Sequence, residues 1–365
     1  MLKRLCLAIA CTFVLFACDS DDNTDSMAND FAKGSMVSGD TAEQVSRVTQ
    51  EVNVYSARKE ALIFPVLERF TAATGINVNL LTGKADALIS RIANEGELGS
   101  ADLLITTDIG RLVRAKQKGL TQVVNSDVLR EHIPENLRDP EGHWFALTTR
   151  ARPIIYATSD VKPEQLNDLE DLTHKNWRGK ICVRSSGNIY NQSLIAAMLI
   201  QKGEEYTAAF AKGLVANFGR PPKGGDRDQI KAVAAGQCAI AIVNTYYLAG
   251  MMESSDQRQV AAANKVKVFW PNQGNRGAHV NVSGAVVSRY APHPGAAQKL
   301  LEFMLEKESQ AWYAEHNHEY PVRVDVAQSE TLRSMGSFKA ETIDLEKVGE
   351  RNGEALKLMD RAGWK

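Results

Sequence analysis

Two adjacent tyrosines, Tyr246 and Tyr247, are the residues whose type and position most favour chemistry in this sequence. They follow the apolar run 239–243 and the polar pair Asn244 and Thr245, an order that predicts a buried strand, a helix N-cap and a helix. Adjacent side chains point about 100° apart in a regular helix and to opposite sides of a regular strand. We therefore expect an irregular junction at the carboxyl end of a sheet, where open α/β folds bind ligands.

A phenol hydroxyl at such a junction offers a specific kind of ligand chemistry. Once deprotonated, it is a hard anionic oxygen donor that prefers small, hard cations to soft metals. The pKa of a free phenol is near ~10, so binding a cation must displace a proton. A lone tyrosine at a strand end is more often a packed residue with a satisfied hydroxyl. The tandem pair therefore needs support from other positions in the chain.

Length and composition limit the classes of protein to consider. The chain has 365 residues, of which 44% are hydrophobic, and this is enough for two domains that each bury a core. The formal net charge is −1, and the few aromatic residues are not interleaved with basic runs, so nothing favours nucleic-acid binding. We find no hydrolase nucleophile motif, phosphate loop or dinucleotide glycine motif, and no nucleophile paired with a base. The sequence predicts a binding protein, not an enzyme.

The amino-terminal segment predicts export. Two basic residues precede the short apolar core 5–17, which contains no acidic residue and is too short for a comfortable transmembrane helix. Because this core ends at Cys18 in a sequence that resembles the bacterial lipoprotein signal, we expect residues 1–17 to be removed and Cys18 to be lipidated. Residues 18–50 are polar and read as a disordered spacer. We expect a periplasmic protein anchored by lipid to a bacterial membrane; a plain signal peptide or an uncleaved anchor is the alternative.

Two cysteines remain in the folded body. Cys182 and Cys238 each lie in or beside an apolar, strand-like segment, a few residues before the tyrosines at 190 and 246. In an oxidising compartment we expect a disulfide between them. Two buried free thiols are the alternative, because a sequence does not establish the Cα separation that a bridge requires.

The body of the chain alternates short strands and amphipathic helices, an order that favours mainly parallel sheets with right-handed crossovers. Two extended apolar stretches, 145–156 and 279–287, join dissimilar neighbourhoods and predict crossings between two lobes, which together would form a hinge. The predicted strands are 52–55, 76–81, 102–106, 153–157, 180–183, 239–243, 266–270 and 280–287, and the predicted helices are 59–74 (with Pro65 ending or kinking its first turn), 85–94, 108–116, 191–201, 228–235, 295–305 and parts of 341–365.

Six short stretches carry a family resemblance when they are taken together and in order. They are Val54-Tyr55-Ser56-Ala57-Arg58, Thr149-Arg150-Ala151-Arg152, Arg184 to Ser193, Asn244-Thr245-Tyr246-Tyr247, Glu319-Tyr320-Pro321-Val322 and Ala362-Gly363-Trp364-Lys365. With these, the chain resembles the iron-binding periplasmic solute receptors that supply ABC importers. This resemblance implies the α/β, two-lobed type II periplasmic-binding-protein fold, with each lobe a mainly parallel sheet flanked by helices. On it we place the first lobe at 51–149 plus about 280–325 and the second at 150–279 plus about 326–365.

The resemblance also implies a ligand and a partner. In that family the matching tyrosines hold the metal, so Tyr190, Tyr246 and Tyr247 are the expected ligands of Fe(III) here. Three phenolates would neutralise the charge of one ferric ion. The expected partner is an inner-membrane ABC permease, and we expect a monomer without nucleic acid.

The sequence departs from many relatives just after the first strand. Where the family often continues with His-Tyr, this chain has Lys59 and Glu60, so two ligand donors are lost. Either Glu60 supplies a carboxylate, or water or an exogenous anion such as carbonate or citrate completes the coordination. We prefer the anion, held by Arg58 with Arg150 or Arg152. As alternatives, these arginines form ordinary ion pairs and Glu60 is a first-turn helix charge.

Other readings remain open on the sequence alone. His316 and His318 have the spacing of one strand face without a third metal ligand nearby, and we interpret them as an ordinary surface segment, with His318 in the lining of the cleft as the alternative. A related receptor for a polyamine, thiamine, a phosphonate or Fe(II) is the second hypothesis. An enzyme or a metal-handling chaperone on the same scaffold is the third.

Overall fold

Two β-sheets flanked by helices organise residues 50–365, the part of the chain that the computed structural model describes. The predicted signal segment, Cys18 and nearly all of the spacer lie outside the described residues. The strands are β1 Glu51–Ser56, β2 Asn77–Thr82, β3 Leu103–Thr106, β4 Phe145–Ala151, β5 Ile154–Ala157, β6 Ile181–Cys182, β7 Ile240–Ile242, β8 Val266–Phe269, β9 Val280–Val287 and β10 Tyr320–Pro321. The α-helices are α1 Phe64–Thr74, α2 Ala85–Glu95, α3 Ile109–Gln117, α4 Asp127–His132, α5 Ile189–Ala216, α6 Asp226–Ala234, α7 Thr245–Met252, α8 Gln257–Ala263, α9 Pro294–Met304, α10 Lys307–His316, α11 Glu330–Ser334, α12 Leu345–Glu350 and α13 Asn352–Arg361. Among residues 50–365, none of the helices combines the length and the hydrophobicity that a membrane span requires.

The larger sheet has six strands in the order β10-β4-β9-β3-β1-β2, and the smaller has four in the order β6-β7-β5-β8. The predicted α/β class is confirmed. Strands β1, β2 and β3 are parallel neighbours, as are β6 and β7, because helices connect them in crossover units.

The prediction of mainly parallel sheets is wrong for the remaining neighbours. Strand β9 runs antiparallel to β3 and β4, β10 runs antiparallel to β4, and β5 runs antiparallel to β7 and β8. The reason is connectivity: β4, β5 and β9 lie at points where the chain leaves one sheet for the other, so no crossover helix fixes their direction.

The chain passes between the sheets at both of the predicted stretches. Strand β4 belongs to the larger sheet and β5 to the smaller, and only Arg152 and Pro153 lie between them. The return passage follows β8 and enters the larger sheet with β9. Beyond β10, helix α11 packs on α7, α12 on α3 and α13 on α5. The tail therefore contacts helices associated with both sheets, and the predicted lobe boundaries remain a proposal.

Local sequence explains where two of the helices begin or break. A short 3-10 helix occupies Glu60–Leu62, and α1 starts only at Phe64 with Pro65 in its first turn, so the proline divides the predicted helix as expected. Helix α5 contains Gly203 at φ 79°, a left-handed conformation that glycine tolerates, just past the predicted helix end.

The two body cysteines lie next to each other beneath the ends of β6 and β7. The Cα atoms of Cys182 and Cys238 are 5.7 Å apart, within the range that a disulfide requires, and both residues are buried. Cys182 is the last residue of β6. Cys238 lies just before β7, the strand that runs parallel to β6 and beside it.

We expect reduction of this cysteine pair to lower the free energy of unfolding by about 2–4 kcal/mol, because a bridge across 56 residues restricts the unfolded chain. Urea denaturation with and without dithiothreitol measures the difference. The matched control is the double variant Cys182→Ser/Cys238→Ser, whose stability should not respond to reductant. Two free thiols titrated in the urea-unfolded, unreduced protein would contradict the bridge.

Candidate functional site

The tandem tyrosines lie in the first turn of α7, directly after β7. Their ring centroids are 4.3 Å apart, with the ring planes inclined at 38°. The predicted irregular junction is therefore wrong, since both residues belong to a regular helix. Long side chains on a helix point back toward its N-terminus. Because Tyr246 and Tyr247 lie in the first turn, no earlier turn of the helix stands between their rings. The two rings can therefore meet beyond the N-terminus of α7.

Asn244 occupies the predicted N-cap position but does not cap the helix with its side chain. Its Oδ1 accepts a hydrogen bond from Arg152 Nη1 at 2.9 Å, and its Nδ2 donates to the Tyr246 hydroxyl at 3.3 Å. The amide therefore links a buried guanidinium to a phenol oxygen. Its side chain orients Tyr246, a role that the N-cap pattern did not predict.

Tyr190 lies in the first turn of α5, close enough to the tandem pair for its charge to act on both phenols. Two guanidinium groups lie over its ring, with Arg152 Cζ 5.9 Å and Arg184 Cζ 5.7 Å from the ring centroid. All three tyrosines are half-buried. The first turns of α5 and α7, two helices that follow neighbouring strands, thus present three phenols to one place.

Burial governs the protonation of the tandem pair. Desolvation of the hydroxyl is the main cause that raises the pKa of Tyr246 well above its usual value, and repulsion from Tyr190 and Tyr247 adds to it. The pKa of Tyr247 is raised for the same reasons, with Tyr190 and Asp226 as its charged neighbours. Both phenols are therefore neutral near pH 7 without a cation. A bound metal ion must supply the electrostatic energy that removes their protons.

Arg152 connects the segments that carry the tyrosines. Its buried guanidinium donates to Asp226 Oδ1 at 3.0 Å, Asn244 Oδ1 at 2.9 Å and Asn191 Oδ1 at 2.7 Å. Asn191 follows Tyr190 in α5, and Asn244 precedes α7. A single side chain from the crossing between the sheets thus fixes the starts of both helices.

A second buried carboxylate, Glu319, lies at the carboxyl side of α10 and pairs with two of the predicted arginines. It accepts from Arg58 Nη2 at 2.5 Å and Arg150 Nη2 at 3.4 Å, and from the hydroxyls of Thr148 at 2.6 Å and Ser283 at 3.2 Å. Sequence reasoning did not single out this residue, although it stands in the Glu319-to-Val322 stretch that carries the family resemblance.

The predicted anion-binding arginines are all nearly inaccessible to solvent. Arg58 faces Glu319 and Thr148, whereas Arg150 also lies over the ring of Tyr246, with 5.8 Å from Cζ to the ring centroid. Arg150 and Arg152 line a narrow recess beside Tyr190. All three arginines form ion pairs with buried carboxylates, as the alternative interpretation expects. Their anion-binding role stays a prediction.

Glu60 and the histidines occupy different surroundings from the tyrosines. Glu60 is exposed in its 3-10 helix, and the structure gives it no hydrogen bond to the three phenols. His316 stacks on Trp312, with ring centroids 4.9 Å apart. His318 is buried at φ 54°, with Nδ1 3.8 Å from Glu253 Oε1, so its interpretation as a surface residue is wrong.

Another group of side chains has the composition of a metal site. Asp139, Glu141 and His143 place one potential ligand atom each within 4.8 Å of the others. The ammonium of Lys116 lies among them, 2.8 Å from Asp139 Oδ1 and 3.1 Å from Glu141 Oε2, and Thr121 contacts His143 Nδ1 at 2.8 Å. Lys116 therefore already supplies a positive charge to the two carboxylates, where a metal ion would otherwise do so.

These features define a class of protein. A type II periplasmic binding protein has two helix-flanked β-sheets joined by extended crossings, and this structure has that arrangement. Phenols and guanidinium groups converge beside its crossings. Residues 99–344 match the family model described as bacterial extracellular solute-binding protein. The chain belongs to this family.

Relatives within the family align with most of the length of this chain. The iron uptake protein A1 of Synechocystis is 46% identical over 316 residues, which cover 87% of this chain and 88% of that protein. The structure of a Trichodesmium protein (IdiA, FutA) in complex with iron and citrate ligands has a TM-score of 0.84 at 46% identity and covers 86% of this chain and all of that one. Apo FutA2 from Synechocystis has a TM-score of 0.82 at 40% identity, covering 87% of this chain and 100% of that chain. The predicted family resemblance is confirmed.

We expect Glu319→Gln to lower the free energy of unfolding at pH 7 by about 3–5 kcal/mol, because Arg58 and Arg150 would stay buried without a countercharge. Burial alone would raise the pKa of Glu319, but attraction to Arg58 and Arg150 outweighs it and lowers the pKa below its usual value. The native pairing therefore stabilises the fold above the unfolded-state pKa of ~4.3, and the stabilisation is lost as pH falls through the lowered value.

Urea denaturation across a pH series checks this expectation. The variant should lose the part of the acid dependence that Glu319 contributes, whereas Glu60→Gln, at an exposed carboxylate, should behave as the wild type. Equal stability of Glu319→Gln and wild type at pH 7 would show that the ion pairs do not stabilise the fold.

Proposed function

We propose that this protein is the extracytoplasmic receptor of an iron ABC importer, and that it binds Fe(III) through the phenolates of Tyr190, Tyr246 and Tyr247. The observation that carries this proposal is the meeting of three half-buried phenols among guanidinium groups. Phenolate is a hard anionic donor, so such a cluster selects a small, highly charged cation. The iron-associated names of the relatives support the same ligand.

The charged groups disfavour the organic-cation alternative. A polyamine receptor needs free carboxylates, whereas Asp226 and Glu319 are each already paired with two arginines. The surplus of guanidinium groups instead suits an anion that accompanies the metal, such as carbonate or citrate. Arg150 and Arg152, which line the recess beside Tyr190, are the predicted arginines best placed to add their positive charge. Glu60, exposed and apart from the phenols, is the weakest of the proposed ligands.

The proposed mechanism is closure of two lobes about the crossings at Arg152-Pro153 and before β9. In the described structure, residues associated with the two sheets already meet beside the site, since Ser193 Oγ in α5 donates to Asp108 Oδ1 at the start of α3 at 2.7 Å. A closed form that buries the ferric ion would be the form recognised by the inner-membrane permease. The receptor acts without catalysis, as a monomer.

The location follows from the same proposal. Relatives include proteins named as periplasmic. Anchoring through lipidated Cys18 and a spacer would keep the receptor near its permease, and a bridge between Cys182 and Cys238 suits an oxidising compartment.

We expect the soluble body, loaded with ferric citrate and freed of unbound iron, to show a visible tyrosinate-to-iron charge-transfer band. Tyr246→Phe or Tyr247→Phe removes one phenolate and should weaken iron binding by at least about tenfold, the loss of one charge-assisted bond, while the fold is retained. Absorbance titration and thermal unfolding together measure both effects. Tyr290→Phe, at an exposed tyrosine on the surface, is the matched control. Unchanged iron titration in both site variants would remove these tyrosines from the ligand set.

Iron affinity should fall steeply as the pH is lowered, because each ligating phenol must release a proton and burial raises the pKa of Tyr246 and Tyr247. If all three phenols lose protons on binding, the affinity falls by up to about a thousandfold per pH unit. Competition with a chelator of known pH dependence measures this slope. Tyr190→Phe should make the slope shallower by about one proton, and a slope near zero would exclude phenolate ligation.

A further inference from the structure

A short connection between β6 and α5 leads into the first turn that carries Tyr190. The start of a helix is commonly fixed by an N-cap side chain, but within the described chain the side chain of Asn188 makes no capping hydrogen bond. Instead, the carbonyl of Arg184 accepts two hydrogen bonds, from Asn191 Nδ2 at 2.9 Å and from Trp364 Nε1 at 2.7 Å. One bond comes from α5 itself, and the other comes from the segment that follows α13.

The end of the tail brings Trp364 to this connection. Helix α13 packs on α5 and ends at Arg361, and Gly363 at φ 85° then adopts the left-handed conformation that often follows a helix. Trp364 is 0% exposed, and its ring meets that of Phe218 edge-on with 5.5 Å between the centroids. A buried indole N–H needs an acceptor, and the Arg184 carbonyl supplies it.

A second hydrogen bond joins the same two segments. The buried hydroxyl of Ser186, in the connection, donates to Asp360 Oδ1 in the last turn of α13 at 2.7 Å. The Ser186 carbonyl in turn accepts from Gln192 Nε2 of α5 at 3.0 Å. The tail therefore holds the connection at two points, and at each point the same residue also bonds to α5. Because Asn191 and Gln192 directly follow Tyr190, a displaced connection would move the start of the helix that carries this tyrosine.

Arg184 extends this anchoring to the site. Its carbonyl is bonded to Trp364, while its guanidinium lies over the ring of Tyr190, with 5.7 Å from Cζ to the centroid. Tyr246 is held from another direction, by the hydrogen bond from Asn244. The contacts of Trp364 thus lead to one of the three phenols.

We propose that Trp364 is a positioning residue for iron binding, which holds the Arg184 carbonyl and thereby fixes Tyr190 where it ligates the ion. A metal site tolerates only small displacements of a ligand atom, so a hydrogen bond one step removed from the ligand changes the affinity. This inference rests on the proposed function. It gives a role to the stretch Ala362 to Lys365, which otherwise only marks the family.

The test is a double-mutant cycle on ferric affinity, measured by absorbance titration with ferric citrate in competition with a chelator. Trp364→Phe keeps an aromatic ring but removes the indole donor, and it should lower the affinity by at least about tenfold. In a Tyr190→Phe background the same change should lower the affinity by less than about twofold, because the phenol that it misplaces is already absent. In a Tyr246→Phe background it should still lower the affinity by about tenfold.

Trp144→Phe is the matched control, since Trp144 is also buried and its indole also donates to the tail, at Glu346 of α12. Thermal unfolding of the iron-free proteins should show a loss of stability in both tryptophan variants, but only Trp364→Phe should weaken iron binding. If Trp364→Phe does not fold, Ser186→Ala takes its place in the cycle, because it removes the second bond to the tail without removing a large core side chain.

Iron binding weakened equally by both tryptophan variants, or by neither, would overturn the inference while leaving the proposed function intact. An undiminished effect of Trp364→Phe in the Tyr190→Phe background would also overturn it. A wild type that binds no iron would overturn the proposed function together with the inference.

Discussion

The site depends on two buried carboxylates, Asp226 and Glu319, each of which forms ion pairs with two arginines. A buried guanidinium is tolerated only when acceptors surround it, and these two carboxylates are the charged acceptors at the crossings between the sheets. Arg152 illustrates the consequence. By satisfying its donors on Asp226, Asn191 and Asn244, it holds the starts of α5 and α7, and therefore the three phenols, in one arrangement.

In the proposed function, this arrangement offers the phenols to a cation, while Tyr246 and Tyr247 stay protonated until the cation binds. Burial and mutual repulsion raise the pKa of Tyr246 and Tyr247, so the ligand-free site avoids two adjacent negative charges on this pair. The guanidinium groups over the rings favour the phenolates once a metal ion is present. The proposed metal binding is thereby coupled to proton release, and the same coupling offers a route to releasing the ion. The arginines around the rings support the proposal that an anion accompanies the metal.

The local elements around the site follow patterns that neighbouring residues determine. Strand β9 was predicted to the residue at 280–287, because four valines recur within this short stretch and β-branched residues favour strands. The division of the first helix at Pro65 was also predicted, since proline cannot donate a backbone hydrogen bond. Short helices such as α4 and α8 were missed because six or seven residues hold too few turns for a clear period.

The sequence by itself determined the class of fold and the family and indicated the three candidate tyrosines, because each depends on residue type, order and short-range periodicity. Tertiary structure alone decided how these residues are used. Asp226 and Glu319 became central because folding removes them from water beside arginines distant in the chain, up to 261 residues away for Arg58 and Glu319. Pairing and desolvation are properties of a three-dimensional neighbourhood, and no local pattern encodes them.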